Sequence, residues 1–164
     1  PLGTLLLDNM YHLHIEPGRA LLDQCGAVLA TVLDVSQEQG ETLVRLDLNA
    51  GDVSLEAHGV LMDPVLIGAA VPPDAEPCGV YLLGNLCLEA DLITRRKVFL
   101  PARPRPGDLL AFANTAGYFM DFSADHALMQ PIARKVAMYT DGGAWRWCLD
   151  EQFWPPAPPE EATA

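Results

Sequence analysis

Beyond residue 26, apolar positions fall in short runs separated by glycine, proline, aspartate and asparagine. "AVLATVLDV" (27–35) is β-branched and apolar and predicts a strand. "SQEQGE" is a polar loop with a glycine, and "TLVRLDL" (42–48) alternates as the return strand of a hairpin should. The pattern weakens over 49–68, where "NAGD" is turn chemistry and "GVLMDPVLI" has room for one strand. The proline-rich loop "VPPDAEPCG" follows, and then "VYLLGNLC" and "DLITRRKVFLP", both strand candidates. "ARPRPGD" is a loop, and "LLAFANTAGYF" (109–119) begins as a buried strand. "IARKVAMYT" and "WRWCL", around an Asp-Gly-Gly turn, make a second hairpin.

About seven or eight short strands with almost no helix predict a mainly β fold, a Greek-key β-barrel or sandwich. The first 26 residues read differently. The apolar stretch 5–15 ends at Glu16 and predicts a strand, and Pro17 suits the first turn of a helix. "PGRALLDQCG" then predicts a helix of about two to three turns closing near Gly26. This pair has the character of the last strand-helix unit of an α/β barrel whose other strands are missing. The predicted layout is a barrel remnant at 1–26, a β-domain at 27–153 and a disordered Pro- and Glu-rich tail at 154–164.

Composition narrows the function classes. Half of the 164 residues are apolar and 20% are charged, an ordinary globular balance. A net charge of −12 with no basic tract argues against nucleic acid. Arg95, Arg96 and Lys97 read as a solvated strand face. No apolar run approaches the roughly 18 residues of a membrane span. The cysteines, Cys25, Cys78, Cys87 and Cys148, lack zinc-ligand spacing. Without a signal peptide, reduced thiols and a cytoplasmic location are expected. The chain starts at Pro1, as a processed product or a piece of a longer chain would.

Three clusters can carry chemistry. In Glu16-Pro17-Gly18-Arg19, Gly18 permits close backbone approach, a helix start offers N–H groups, and Arg19 adds a forked cation. A ligand with a phosphate and a protonated ring nitrogen would use all of this; the plainer reading is a helix start with a surface Arg–Glu pair. In "GNLCLEAD" (84–91), Cys87 at a strand end, with acids following, is a candidate proton donor or else a buried structural cysteine. In "NTAGYFM" (114–120), the Tyr118 hydroxyl is placed to reach a phosphate or else satisfies one core hydrogen bond.

Taken together and in this order, these motifs resemble the C-terminal part of the fold-type III pyridoxal-phosphate decarboxylases, which include the ornithine, arginine and diaminopimelate decarboxylases. That family carries an E-P-G-R motif at its last barrel strand, matched by Glu16 to Arg19. A Cys-containing motif ending in Asp follows, here Cys87-Leu88-Glu89-Ala90-Asp91. Next comes Gly-Asp leading to a small-residue-Tyr motif, here Gly107-Asp108 and Ala116-Gly117-Tyr118. Asp47 falls at the family's strand-end aspartate. The resemblance spans about residues 12–140 and is nearest to a decarboxylase-like branch of unassigned substrate.

The resemblance implies pyridoxal 5'-phosphate as cofactor, with Glu16 on the ring nitrogen and Gly18, Arg19 and Tyr118 at the phosphate. It implies Cys87 as the group that protonates the substrate carbon after carbon dioxide leaves, in the partner subunit's site of a homodimer. Asp47, Glu89 and Asp91 become substrate-binding candidates. Where well-studied members place Asp or Glu after the cysteine, this chain has Leu88. The Schiff-base lysine lies in the family's N-terminal barrel, and Lys97 and Lys135, the two lysines here, match no barrel strand. The expectation is a decarboxylase portion inactive by itself, needing an amino-acid substrate and a barrel half or second copy, with no nucleic-acid or membrane partner. The alternatives are a non-catalytic binding or regulatory relative that keeps the dimer surface, a racemase-like member of the fold type, and an unrelated small β-domain.

Overall fold

The computed structural model describes residues 1–53, 62–68, 71–116, 128–130 and 133–153. Two compact units, Pro1–Ala124 and Asp125–Ala164, divide the chain and are taken separately.

The first unit is built on six strands: β1 (Ala27–Glu38), β2 (Glu41–Leu46), β3 (Val65–Ile67), β4 (Cys78–Leu83), β5 (Val98–Leu100) and β6 (Leu109–Ala113). They form one sheet in the order β3-β6-β1-β2-β4-β5 that curves until it is nearly closed, a barrel-like form. All pairs are antiparallel except β2 with β4. The mainly β expectation holds.

The core follows from period-two burial. Val28, Ala30 and Val32 of β1, Val44 and Leu46 of β2, Val80 and Leu82 of β4, Val98 and Leu100 of β5, and Leu110 and Phe112 of β6 all point inward. Each of these apart from Ala30 contributes about 1.5–3 kcal/mol relative to an exposed position. Register aligns them: Val28 faces Phe112, Ala30 faces Leu110, and Val80 faces Val98.

Strand β1 makes the fold's corner. Its first half pairs with β6 and its second half with β2. A bulge at Leu33 separates them, since Val32 pairs with Leu46 and Asp34 with Arg45. The extra residue shifts the inward phase, so that Val32 and Val35 both turn to the core. The loop predicted from "SQEQGE" shrinks to a two-residue turn at Gln39 and Gly40, because β1 and β2 pair out to Glu38 and Glu41.

Three local expectations are corrected. Stretch 5–15 is not a strand: helix α1 (Leu2–Asp8) occupies its start, and 11–18 is exposed and outside any sheet. No neighbouring strand among the described residues takes its N–H and C=O groups, so local helix formation wins over "LGTLLLD". The next helix, α2 (Arg19–Leu22), is one turn, not two or three. "NAGD" is a helical turn, α3 (Ala50–Val53).

Arg96 and Lys97 precede β5 and are ion-paired rather than simply solvated. Arg96 binds Asp63, while Lys97 lies 2.5 Å from Glu41 and 5.5 Å from the Tyr81 ring centre.

In the second unit, β7 (Val136–Asp141) and β8 (Ala144–Leu149) form the predicted hairpin, followed by the short helix α4 (Asp150–Phe153). Gly142 and Gly143, with φ of 56° and 80°, supply the left-handed turn that a two-residue hairpin loop requires. The tail over 154–164 lies outside the described residues.

Candidate functional site

The Cys87 loop is shaped by one buried carboxylate. Asp91 is 7% exposed, and both its oxygens accept backbone N–H groups, from Ala50 at 2.8 Å and Leu86 at 2.9 Å. Its own N–H donates to the Leu88 carbonyl at 3.0 Å, and its carbonyl accepts the Gly84 N–H at 2.9 Å. Residues 84–91 therefore close around the Asp91 side chain. Gly84 is required by this closure: a Cβ there would fall 2.0 Å from an Asp91 carboxylate oxygen.

A second, interlocked turn supports the loop from below. Asn49 and Asp52, 2% and 4% exposed, form a reciprocal cap on α3. The Asn49 side-chain oxygen accepts the Gly51 N–H at 2.8 Å, and Asp52 accepts the Asn49 backbone N–H at 2.9 Å and its side-chain amide at 3.0 Å. The Asn85 N–H donates to the Leu48 carbonyl at 2.9 Å, so the chain after β2 and the chain after β4 form one scaffold. On its outer side Cys87, Leu88 and Glu89 are exposed. Cys87 is a free thiol on a fixed loop, accessible to a partner or ligand.

Asp47 is exposed, and its carboxylate accepts the Thr31 N–H at 2.6 Å, while its own N–H donates to the Thr31 carbonyl at 3.1 Å. The side chain thus staples β1 to the end of β2 beside the bulge.

The remaining candidates lie on another pair of segments. Glu16 is exposed in the extended stretch before α2, and Gly18 caps α2, whose first residue is Arg19. No atom lies within 4 Å of the position a Gly18 Cβ would take, so the backbone there is open to a ligand. Just past α2 the chain is stitched to the end of β6. Asn114 accepts the Gln24 N–H at 2.8 Å and donates its amide to Asp23 at 2.7 Å. The Thr115 N–H donates to the Gly26 carbonyl at 3.1 Å. The segment leading toward Tyr118 is thereby held against the segment leading away from Arg19. Tyr118 itself lies outside the described residues. Among the described residues, no hydrogen bond or ion pair links Glu16 to Cys87, Asp47 or Glu89.

Sequence reasoning missed Asn49, Asp52 and Gly84 as organisers. Asn-x-x-Asp spacing is the signal for the first two, a capping pattern inside what read as a turn. Asn114 was missed as well; it stands out through its two side-chain hydrogen bonds and its φ of 57°, a left-handed position that asparagine tolerates.

These features define the class: the chain resembles the C-terminal part of the fold-type III pyridoxal-phosphate decarboxylases, and its nearly closed β-unit is their C-terminal domain fold. A solved diaminopimelate decarboxylase superposes with a TM-score of 0.65 at 23% identity over 84% of this chain and 34% of that one. The M. jannaschii enzyme in complex with L-lysine gives 0.62 at 20% identity, over 88% of this chain and 32% of that one. In sequence, the chain is 32% identical over 133 residues to the uncharacterised protein y4yA of Sinorhizobium fredii, covering 79% of this chain and 29% of that protein. It is 30% identical over 141 residues to the diaminopimelate decarboxylase of Mycobacterium tuberculosis, covering 78% and 31%. The chain thus spans about a third of the length of the curated relatives it matches. No protein-family model matches it.

Proposed function

We propose that this chain supplies the β-domain of a pyridoxal-phosphate-dependent amino-acid decarboxylase, and that an α/β-barrel portion carrying the Schiff-base lysine completes the site. The observation that carries this reading is the stitch of Asn114 and Thr115 onto Asp23, Gln24 and Gly26. It joins the two segments that bear the phosphate candidates, each four residues from the Asn114–Asp23 contact. The open face at Gly18 fits a phosphate approached by backbone.

Bound pyridoxal phosphate would supply an electron-withdrawing ring. Glu16 would hold the proton on the ring nitrogen, since opposite charges favour both ionised forms. Gly18, Arg19 and Tyr118 would take the phosphate. Cys87 would deliver a proton to the substrate carbon that has lost its carboxylate, with Asp91 fixing the loop that carries the thiol. Because Cys87 sits on a separate exposed loop, a second copy receiving it is the natural arrangement, and a homodimer is part of the proposal. Leu88, 53% exposed beside Cys87, favours a substrate without a distal ammonium group at that position.

The test is co-expression with an α/β-barrel polypeptide, followed by spectroscopy with pyridoxal phosphate and assay of carbon dioxide release from an amino-acid panel. The expected result is a cofactor band only in the complemented protein, with turnover lowered about a hundredfold or more by Cys87→Ser. The chain by itself should give no stoichiometric borohydride adduct at Lys97 or Lys135. A complemented protein that binds cofactor without releasing carbon dioxide would favour the non-catalytic alternative. Failure of any complemented form to bind cofactor would overturn the reading.

A further inference from the structure

Away from the Cys87 loop, the first unit has an open groove of about 690 Å³ between the loop before β4 and the loop before β6. Its volume lies in the range of small-molecule sites. Arg103 and Arg105 line it together with Pro72 and two acids, Glu76 and Asp108. Pro104, between the two arginines, is fully buried, whereas both arginines are exposed. In an extended segment neighbours point to opposite sides, so anchoring Pro104 in the protein turns both guanidiniums outward together. Backbone hydrogen bonds tie down the loop beneath. Gly107 N–H donates to the Val32 carbonyl and Val32 N–H to the Asp108 carbonyl, both at 2.8 Å. Asp108 spends a carboxylate oxygen on the Arg105 N–H at 2.8 Å, and its N–H donates to the Arg105 carbonyl at 3.0 Å.

Neither guanidinium makes an ion pair or side-chain hydrogen bond among the described residues, and Glu76 makes none either. In a chain with 22 acidic and 10 basic residues, two arginines two positions apart with no ion pair among the described residues are conspicuous. A guanidinium presents a planar fork that matches a carboxylate or phosphate with two parallel bonds.

We propose that this groove binds a small doubly charged oxyanion, a phosphate monoester or a dicarboxylate, through Arg103 and Arg105. Glu76 and Asp108, which also line the groove, weaken the site for a bare anion by like-charge repulsion. The inference is independent of the decarboxylase reading, because Arg103, Arg105 and Glu76 belong to none of the motifs on which that reading rests.

The test titrates the full chain, at low ionic strength, with inorganic phosphate and separately with succinate, followed by calorimetry and by amide chemical shifts. Saturable binding of phosphate alone identifies a phosphate-type ligand, and of succinate alone a dicarboxylate; either supports the site. The double variant R103Q/R105Q should weaken binding about tenfold or more. R45Q, which removes an exposed arginine on β2, should leave it unchanged, and E76Q should tighten it. All these positions are exposed, and far-UV circular dichroism checks that each variant folds. No saturable binding of either probe, or equal weakening in R45Q, would overturn the proposal.

Discussion

Asp91 and Gly84 make one device from two residues. Asp91→Ala leaves the Ala50 and Leu86 N–H groups without their acceptor in a partly buried place. The expected loss is about 3 kcal/mol of unfolding free energy, measured in urea. Gly84→Ala should cost a similar amount, because its Cβ and the Asp91 carboxylate cannot share the space. The double variant should lose much less than the sum, since each change already opens the same closure. Additive losses would show that the two residues act separately. Asp63 offers a second test at this scale. Partial burial pushes its carboxyl up, but the Phe99 N–H and the hydrogen bond and charge of Arg96 together outweigh it and hold the carboxyl below its ordinary value. A lowered carboxylate stabilises the fold fully above its unfolded pKa of about 3.9, and that gain is lost as the pH falls through the lower folded value. The urea midpoints of wild type and Asp63→Asn should therefore differ at pH 6 and converge as the pH falls through the lowered folded value. A gap that persists at low pH would mean that Asp63 acts through packing and not through its charge.

Among the elements, the junction between α2 and the end of β6 depends on Asn114 for two separate reasons: its side-chain bonds and its φ of 57°. Asn114→Gly should lose only the bonds, whereas Asn114→Ala should lose the bonds and add about 1 kcal/mol of backbone strain. Faster amide exchange at Gln24 and Thr115 in both variants, with a lower melting point for Ala than for Gly, is the expected pattern. Strand identity was legible in the chain wherever alternation met a local partner, as in the β1–β2 and β7–β8 hairpins. The bulge at Leu33 was hidden because apolar residues surround it on both sides. Pairing of β2 with β4 in parallel was hidden because it joins residues far apart in sequence. The 5–15 stretch misread for the opposite reason: its composition suits a strand, but strand formation needs a neighbour that no local pattern reports. The order of the Cys87 and Glu16 motifs along the chain was enough to suggest the family resemblance. Asp91's structural role could not, because its key bond to Ala50 spans 41 residues.

At the scale of the whole molecule, the side chains of residues 2–18 are almost all exposed. Leu2, Leu7, Tyr11 and Ile15 are 61%, 80%, 66% and 73% exposed, and α1 buries none of its residues. A seven-residue helix that buries no residue is below the roughly 12–15 residues at which helices persist by themselves in water. The inward-facing core draws nothing from this segment, since it begins at Val28. Removing residues 1–22 should therefore leave the melting point of the six-stranded unit within about 3 °C of the intact chain, because Asp23, Gln24 and Gly26 keep the stitch to Asn114 and Thr115. In the intact chain, trypsin should cut first after Arg19, at the start of the one-turn α2. The proposed function adds a second arm. If an α/β barrel packs against this apolar stretch, complementation should slow cleavage after Arg19 while leaving cleavage after Arg146, in the second unit's exposed hairpin, unchanged. A large fall in melting point on truncation would place core contacts in residues 1–22. Unaltered cleavage after Arg19 in a complemented, cofactor-binding protein would show that the barrel is held by some other surface.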